Sequence, residues 1–165
     1  MKNIYILFLL GVVVTTLSCE DGNKNYTEEF DSVYYYLKEG VNEFDFYSVN
    51  SAKVQTITVG RGGHGLNGVS TINLVPFTQA EMDEYNATID GDYKLLAPEY
   101  YDMPATVAFE DGVEYRNVDV VFKGNMSELA KTGEYMLPIR LEADNGTVND
   151  NKNITVSYTH LTLPT

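Results

Sequence analysis

The chain is expected to fold as an all-β protein, an immunoglobulin-like antiparallel β-sandwich carrying one or two short helical insertions. Three observations predict this. Apolar and polar residues alternate with period two through a series of short runs, turn residues separate those runs, and no strand–helix–strand alternation of the kind that builds parallel sheets is present. The 165 residues, 44% hydrophobic and 21% charged, have the composition of one modest globular domain with appendages.

In chain order, strands are expected at Val33–Leu37, Glu43–Tyr47, Lys53–Gly60 and Val69–Val75. A short helix follows at Gln79–Ala87, because Thr78 and Glu81 have the spacing of a capping box and Met82 and Tyr85 share one helical face. Ala105–Phe109 and Val113–Phe122 are the next strands, and the Asp111-Gly112 pair between them predicts a hairpin. Within the second, Val118, Val120 and Phe122 fall on one face, opposite Asn117, Asp119 and Lys123. Met126–Lys131, closed by Gly133, reads as a helical turn. Tyr135, Leu137, Ile139 and Leu141 then alternate with Glu134, Met136, Arg140 and Glu142, the pattern of a half-buried strand. Pro138 interrupts that run, and a residue that cannot donate to a ladder predicts an edge strand or a bulge. Asn153–Thr155 begins a last strand. Gly60–Gly65, Asp90-Gly91-Asp92, Gly124-Asn125 and Asn145-Gly146 supply the remaining turns.

Both ends of the chain read as something other than this domain. Lys2 precedes an apolar run, Ile4–Val14, too short to span a bilayer, and small polar residues then lead to Cys19, the pattern of a cleaved signal peptide at 1–18. Thr16-Leu17-Ser18-Cys19 resembles the lipobox of bacterial lipoproteins, departing from it at Thr16. The resemblance implies that Cys19, the single cysteine, is acylated and anchors the protein to a membrane. Glu20 and Asp21 resemble the surface-export signal of Bacteroidota lipoproteins, so the expected location is the outer membrane, facing outward. Residues 19–31 then form the lipidated cysteine and a polar tether, and 32–155 the sandwich. Residues 156–165 resemble a translated sequencing-library adapter, which would leave a native C-terminal region unseen; His160 accordingly carries no chemistry here.

Tyr85-Asn86, the run Tyr93-Lys94-Leu95-Leu96-Ala97-Pro98-Glu99-Tyr100-Tyr101, the strand near Thr106-Val107, and Tyr135-Met136-Leu137-Pro138-Ile139-Arg140-Leu141 together carry a further likeness. From about Ser32 to Thr155 the chain resembles a domain of unknown function in Bacteroidota surface lipoproteins. That domain precedes a lectin-like sandwich or a chitinase-like endo-β-N-acetylglucosaminidase domain. The resemblance implies an Ig-like fold, a surface position and a role in glycan capture or processing, and it supplies no catalytic residues.

A net charge of −13 argues against nucleic acid as a partner, since phosphate contacts need clustered Lys and Arg. No catalytic set can be assembled. His64 is the one histidine before the tail and Cys19 is taken by lipid, so neither a nucleophilic dyad or triad nor a His-containing zinc cluster is available, and no metal or cofactor is expected. Gly60-Arg61-Gly62-Gly63-His64-Gly65 lacks the Lys-Ser/Thr ending of a phosphate loop and reads as a turn from which Arg61 and His64 could touch a ligand. Glu81, Asp83, Glu84, Glu110, Asp111 and Glu114 occupy helix-start and turn positions, and Asp90-Gly91-Asp92 and Asp144-Asn145-Gly146 lack calcium-loop spacing. Tyrosine is the remaining signal. Tyr34, Tyr36, Tyr100 and Tyr101 are the candidate glycan contacts, because a phenol ring stacks on sugar while its hydroxyl hydrogen-bonds. The expected function is a non-catalytic N-terminal module that supports glycan binding or processing. The competing readings are an accessory domain of a truncated endo-β-N-acetylglucosaminidase-type hydrolase and an adhesin-like structural protein.

Overall fold

A computed structural model of the protein describes residues 31–46, 52–63, 66 and 68–161. Cys19, Glu20, Asp21 and His64 lie outside them. The chain begins with β1 (Val33–Tyr36), β2 (Gly40–Phe46), β3 (Lys53–Gly62) and β4 (Ser70–Pro76), then α1 (Gln79–Ile89). A short β5 (Lys94–Leu95), a 3-10 turn at Pro98–Tyr100, β6 (Tyr101–Asp102), β7 (Thr106–Phe109) and β8 (Tyr115–Phe122) follow. The last elements are α2 (Met126–Ala130), β9 (Tyr135–Ala143), β10 (Thr147–Val148) and β11 (Ile154–Leu161).

These strands form two sheets, as the alternation predicts. Sheet I has the order β10-β1-β3-β8-β6, and sheet II the order β2-β11-β9-β4-β7 with β5 added beside β9. Most neighbours are antiparallel, but β1 with β10, β2 with β11 and β5 with β9 pair in parallel. Tyr34, Tyr36, Val59, Val118, Val120 and Phe122 from sheet I meet Ile72, Leu74, Phe109, Leu137, Ile139 and Leu141 from sheet II in the main core. Burial of such side chains, worth about 1.5–3 kcal/mol each, is what holds the sheets together.

Three expectations are corrected. Asp111-Gly112 does not close a hairpin: β7 pairs with β4 in sheet II and β8 with β3 in sheet I, so the turn is an arch from one sheet to the other. The turn itself is real, with Gly112 at φ 73°, where a residue without Cβ is at ease. Its two sides are instead held around the buried Arg61, whose guanidinium bonds the carbonyls of Glu110 and Val113.

Pro138 sits in neither an edge strand nor a bulge, since β9 lies between β11 and β4 and its register with β11 runs unbroken from Arg140 to Tyr135. The carbonyl of Pro138 accepts from the Phe77 amide (3.0 Å), one residue past the end of β4. In an extended residue the N–H side points the same way as the carbonyl. The missing donor therefore faces the Phe77 side, just past the end of β4, so the bond that proline cannot make is one at the end of that ladder and not in its middle.

The third correction concerns β9, which is buried on both faces from Met136 to Ile139. The reason is α1, laid over the outer face of sheet II so that Met82 packs with Met136 and Val156 in a second cluster rimmed by Tyr85, Tyr93, Leu95, Ile154 and Tyr158. The predicted capping box is formed: the Thr78 side chain accepts from the Glu81 amide (3.4 Å) while Glu81 accepts from the Thr78 amide (2.7 Å). Those Thr78 bonds, backbone first and hydroxyl second, together with the Arg140 guanidinium beside it, hold the Glu81 carboxyl below its ordinary pKa. Arg140 lies on β9, so the ion pair also pins the helix start to the sheet.

Residues 156–161, the first part of the expected tail, continue β11 in register with β9 as far as Thr159 and with β2 as far as Leu161. Val156 and Ser157 are buried, and the Tyr158 ring meets Tyr93 edge-on at 5.6 Å.

Candidate functional site

The two outer faces of the sandwich differ. Sheet II is covered by α1, whereas the outer face of sheet I is an open array of rows set by the strand registers. Tyr35, Gly60 and Tyr115 are cross-strand partners and form the first row. Two residues further along β3, Thr58 stands opposite Asn117, and its hydroxyl donates to Asn117 Oδ1 (2.8 Å). Thr56 and Asp119 form the third row, joined by a 2.6 Å bond from the Thr56 hydroxyl to Oδ1.

The first row depends on glycine. A Cβ on Gly60 would lie 2.6 Å from Cζ of Tyr35, so the Tyr35 ring crosses the strand only because that atom is missing. The ring thereby reaches Tyr115. Its hydroxyl pKa is raised, first by the hydrogen bond to Tyr115, then by burial and by the charges of Tyr115 and Glu114. Tyr115 itself is 49% exposed.

Beside the second and third rows is a cleft of about 400 Å³ lined by Leu37, Lys38, Asn42, Gln55, Thr56, Ile57, Thr58, Asn117 and Thr155. It opens where β1 stops at Tyr36 while β3 continues, so side chains from both sheets reach it. Asn42 Nδ2 donates to Thr155 Oγ1 (3.0 Å) and to the Gly40 carbonyl (3.1 Å), and Ser157 Oγ donates to Gln55 Oε1 (2.5 Å). The lining is chiefly amide and hydroxyl, groups that both donate and accept.

None of the four tyrosines chosen from sequence belongs to this face. Tyr34 and Tyr36 are 1% and 0% exposed and are core residues, Tyr34 tilted against Phe109 at 5.7 Å, so neither can stack on a ligand. The Tyr36 hydroxyl has no partner among the described residues, and burial pushes its pKa far above the ordinary value. Tyr101 pairs with Phe122, which is in the core, and is itself partly buried against that core, as is Tyr100; burial raises the Tyr101 pKa. In the Tyr34-Tyr35-Tyr36 run the middle residue faces outward. Parity shows that Tyr35 opposes its neighbours, but which face is open depends on α1, which among the described residues covers sheet II and not sheet I.

Arg61 is also no ligand contact, being 2% exposed and bonded to Val113, Gly68, Leu66 and Glu110 carbonyls and to Ser70 Oγ. The carboxylates do structural work. Asp83 accepts from Gln79, Asp111 from the Gly68 amide, and Asp144 from Asn73, while Glu110 pairs with Arg116 at 3.4 Å and Asp90 is the left-handed C-cap of α1. Among the described residues no group of three or more His, Cys, Asp or Glu is placed to hold a metal ion.

A two-sheet β domain with one helix-covered face and one open polar face is the class that the architecture defines. A family profile described as a "-like, N-terminal domain" matches residues 23–148, and the chain belongs to that family of N-terminal domains. Among solved structures it is similar to a Bacteroides ovatus protein assigned provisionally to carbohydrate binding, with a TM-score of 0.64 and 17% identity over 79% of this chain and 37% of that one. It is also similar to a Bacteroides ovatus protein of unknown function (TM-score 0.62, 14% identity, 78% of this chain and 44% of that one). A third is a Bacteroides ovatus multidomain protein including DUF1735 (TM-score 0.61, 12% identity, 79% and 45%). The chain thus spans less than half the length of each, and at these identities the likeness is one of fold. No curated protein sequence matches it.

Proposed function

We propose that the chain is a non-catalytic N-terminal module of a surface-exposed, outer-membrane lipoprotein, and that it supports glycan binding or processing. The observation that carries this reading is the open face of sheet I, where neutral amides and hydroxyls flank a tyrosine pair while acidic side chains elsewhere are used in caps, turns and ion pairs. Membership of a family of N-terminal domains supports an accessory role, and the provisional assignment of one structural relative to carbohydrate binding supports the ligand class. Anchoring rests on Cys19 and its lipobox-like approach, and surface display on Glu20 and Asp21.

Two measurements test it. Incubated with chitobiose-core glycans, the full chain should release no product by mass spectrometry; release abolished by replacing one of its carboxylates would make it a hydrolase instead. Cells fed radiolabelled palmitate should label the wild-type protein and not Cys19→Ala. Equal labelling of the two would remove the lipid anchor from this reading.

A further inference from the structure

We infer that the open face of sheet I is a binding site for a neutral oligosaccharide, one sugar ring seated in the cleft beside Asn117 and Thr58 and the next lying against Tyr115. This rests on the glycan reading above and gives it a place and a chemistry. Rows on one face of a strand repeat every two residues, about 6.8 Å, a step on the scale of one sugar unit. Along that step the surface changes from aromatic, at Tyr35 and Tyr115, to hydrogen-bonding, at Thr58 and Asn117. A sugar chain has the same duality, with apolar ring faces and hydroxyls at their edges.

The cleft, at about 400 Å³, falls within the range of roughly 300–1,000 Å³ usual for small-ligand sites. Its polar groups suit hydroxyls. Among the described residues Asn117 Oδ1 is engaged by Thr58, which leaves the amide N–H donors of Asn117 to a ligand, and Gln55 Oε1 is engaged by Ser157 in the same way. Among the described residues Lys38 is the charged residue of the lining, with Asp119 in the next row, and these two are of opposite sign, so they make no like-charge cluster to attract an ion. A net charge of −13 further disfavours anionic polysaccharides. Leu37 and Ile57 are too little apolar lining for a lipid tail. Tyr115, half exposed and standing across Gly60 from Tyr35, offers a ring on which a sugar can stack.

The test applies the full chain, kept in mild detergent, to an array of mannose-, glucose- and N-acetylglucosamine-based tetrasaccharides with polygalacturonate as the charged comparison. Wild type should bind at least one neutral probe and not polygalacturonate. Tyr115→Ala and Asn117→Ala should each weaken that binding about tenfold, the equivalent of one lost ring contact or hydrogen-bonded pair, with an unchanged thermal midpoint. If Tyr115→Ala unfolds, Asn117→Ala alone decides. Neutral binding retained in the folded variants would move the site off this face while leaving the glycan reading intact. Binding of polygalacturonate alone would overturn the neutral chemistry, and no binding by wild type would overturn both site and reading.

Discussion

Arg61→Met is expected to cost about 3 kcal/mol or more, one of the two largest losses for a single substitution in this domain. The guanidinium is almost wholly buried and donates to five oxygens: the carbonyls of Val113 (3.2 Å), Gly68 (3.0 Å), Leu66 (2.5 Å) and Glu110 (2.9 Å), and Ser70 Oγ (3.4 Å). Four of these belong to irregular backbone; the Leu66 and Glu110 carbonyls also accept from the Gly112 and Val113 amides, so it is the Val113 and Gly68 carbonyls that lose their donor. Each buried acceptor left without a donor costs about 1–3 kcal/mol, and methionine keeps the stem while removing every donor. The loss is moderated because a buried charge is removed as well. Lysine should rescue little, since three donors on one ammonium cannot replace a planar fork that spans carbonyls from two arches. Arg116 provides the contrast: a third exposed and paired with Glu110 at 3.4 Å, it should cost less than about 1 kcal/mol when replaced by Gln. Urea denaturation reads these directly. An Arg61→Met midpoint within about 1 kcal/mol of wild type would mean that the loops find other donors and that the fork is dispensable.

Arg61 also shows where sequence reading stops. A lone arginine in a glycine-rich stretch reads locally as an exposed loop residue, and nothing within ten positions announces that Glu110 and Val113 will close over it. Local pattern served well where local forces decide. The Thr78–Glu81 capping box and the alternation in β1, β3, β4 and β8 were legible because cap geometry and one-sided burial act over a few residues. The two-residue strands β5, β6 and β10 are too short to display any period. The Asp111-Gly112 turn was legible as a turn but not as an arch, because the choice between hairpin and sheet crossing is made by partners tens of residues away, β4 for one arm and β3 for the other. The candidate site was missed for a related reason. Tyrosine content points to a platform but does not say which face of β1 is open, and Tyr115 stands out only once the fold sets it across Gly60 from Tyr35.

Met82→Ala is the second large effect, expected at about 2–5 kcal/mol, the range for removing a buried long aliphatic side chain and leaving a cavity. Met82 is the buried residue of α1, fully enclosed, and it is the contact through which the helix covers Met136 and Val156 on the outer face of sheet II. Alanine has the higher helix propensity, so any loss must come from packing and not from the helix itself. Met82→Leu, close to it in volume, should cost less than about 1.5 kcal/mol. The capping box and the Arg140–Glu81 ion pair would still hold the N-terminus of α1, so the expected failure is at its middle, with water reaching Met136 while the helix start stays attached. Hydrogen exchange would show this as faster exchange of the 83–89 amides in Met82→Ala than in wild type, alongside the lower urea midpoint. A midpoint equal to wild type would show that α1 rests on the sheet without supporting it. The two-sided burial of β9 would then owe its stability to β5, Tyr93 and Tyr158 instead.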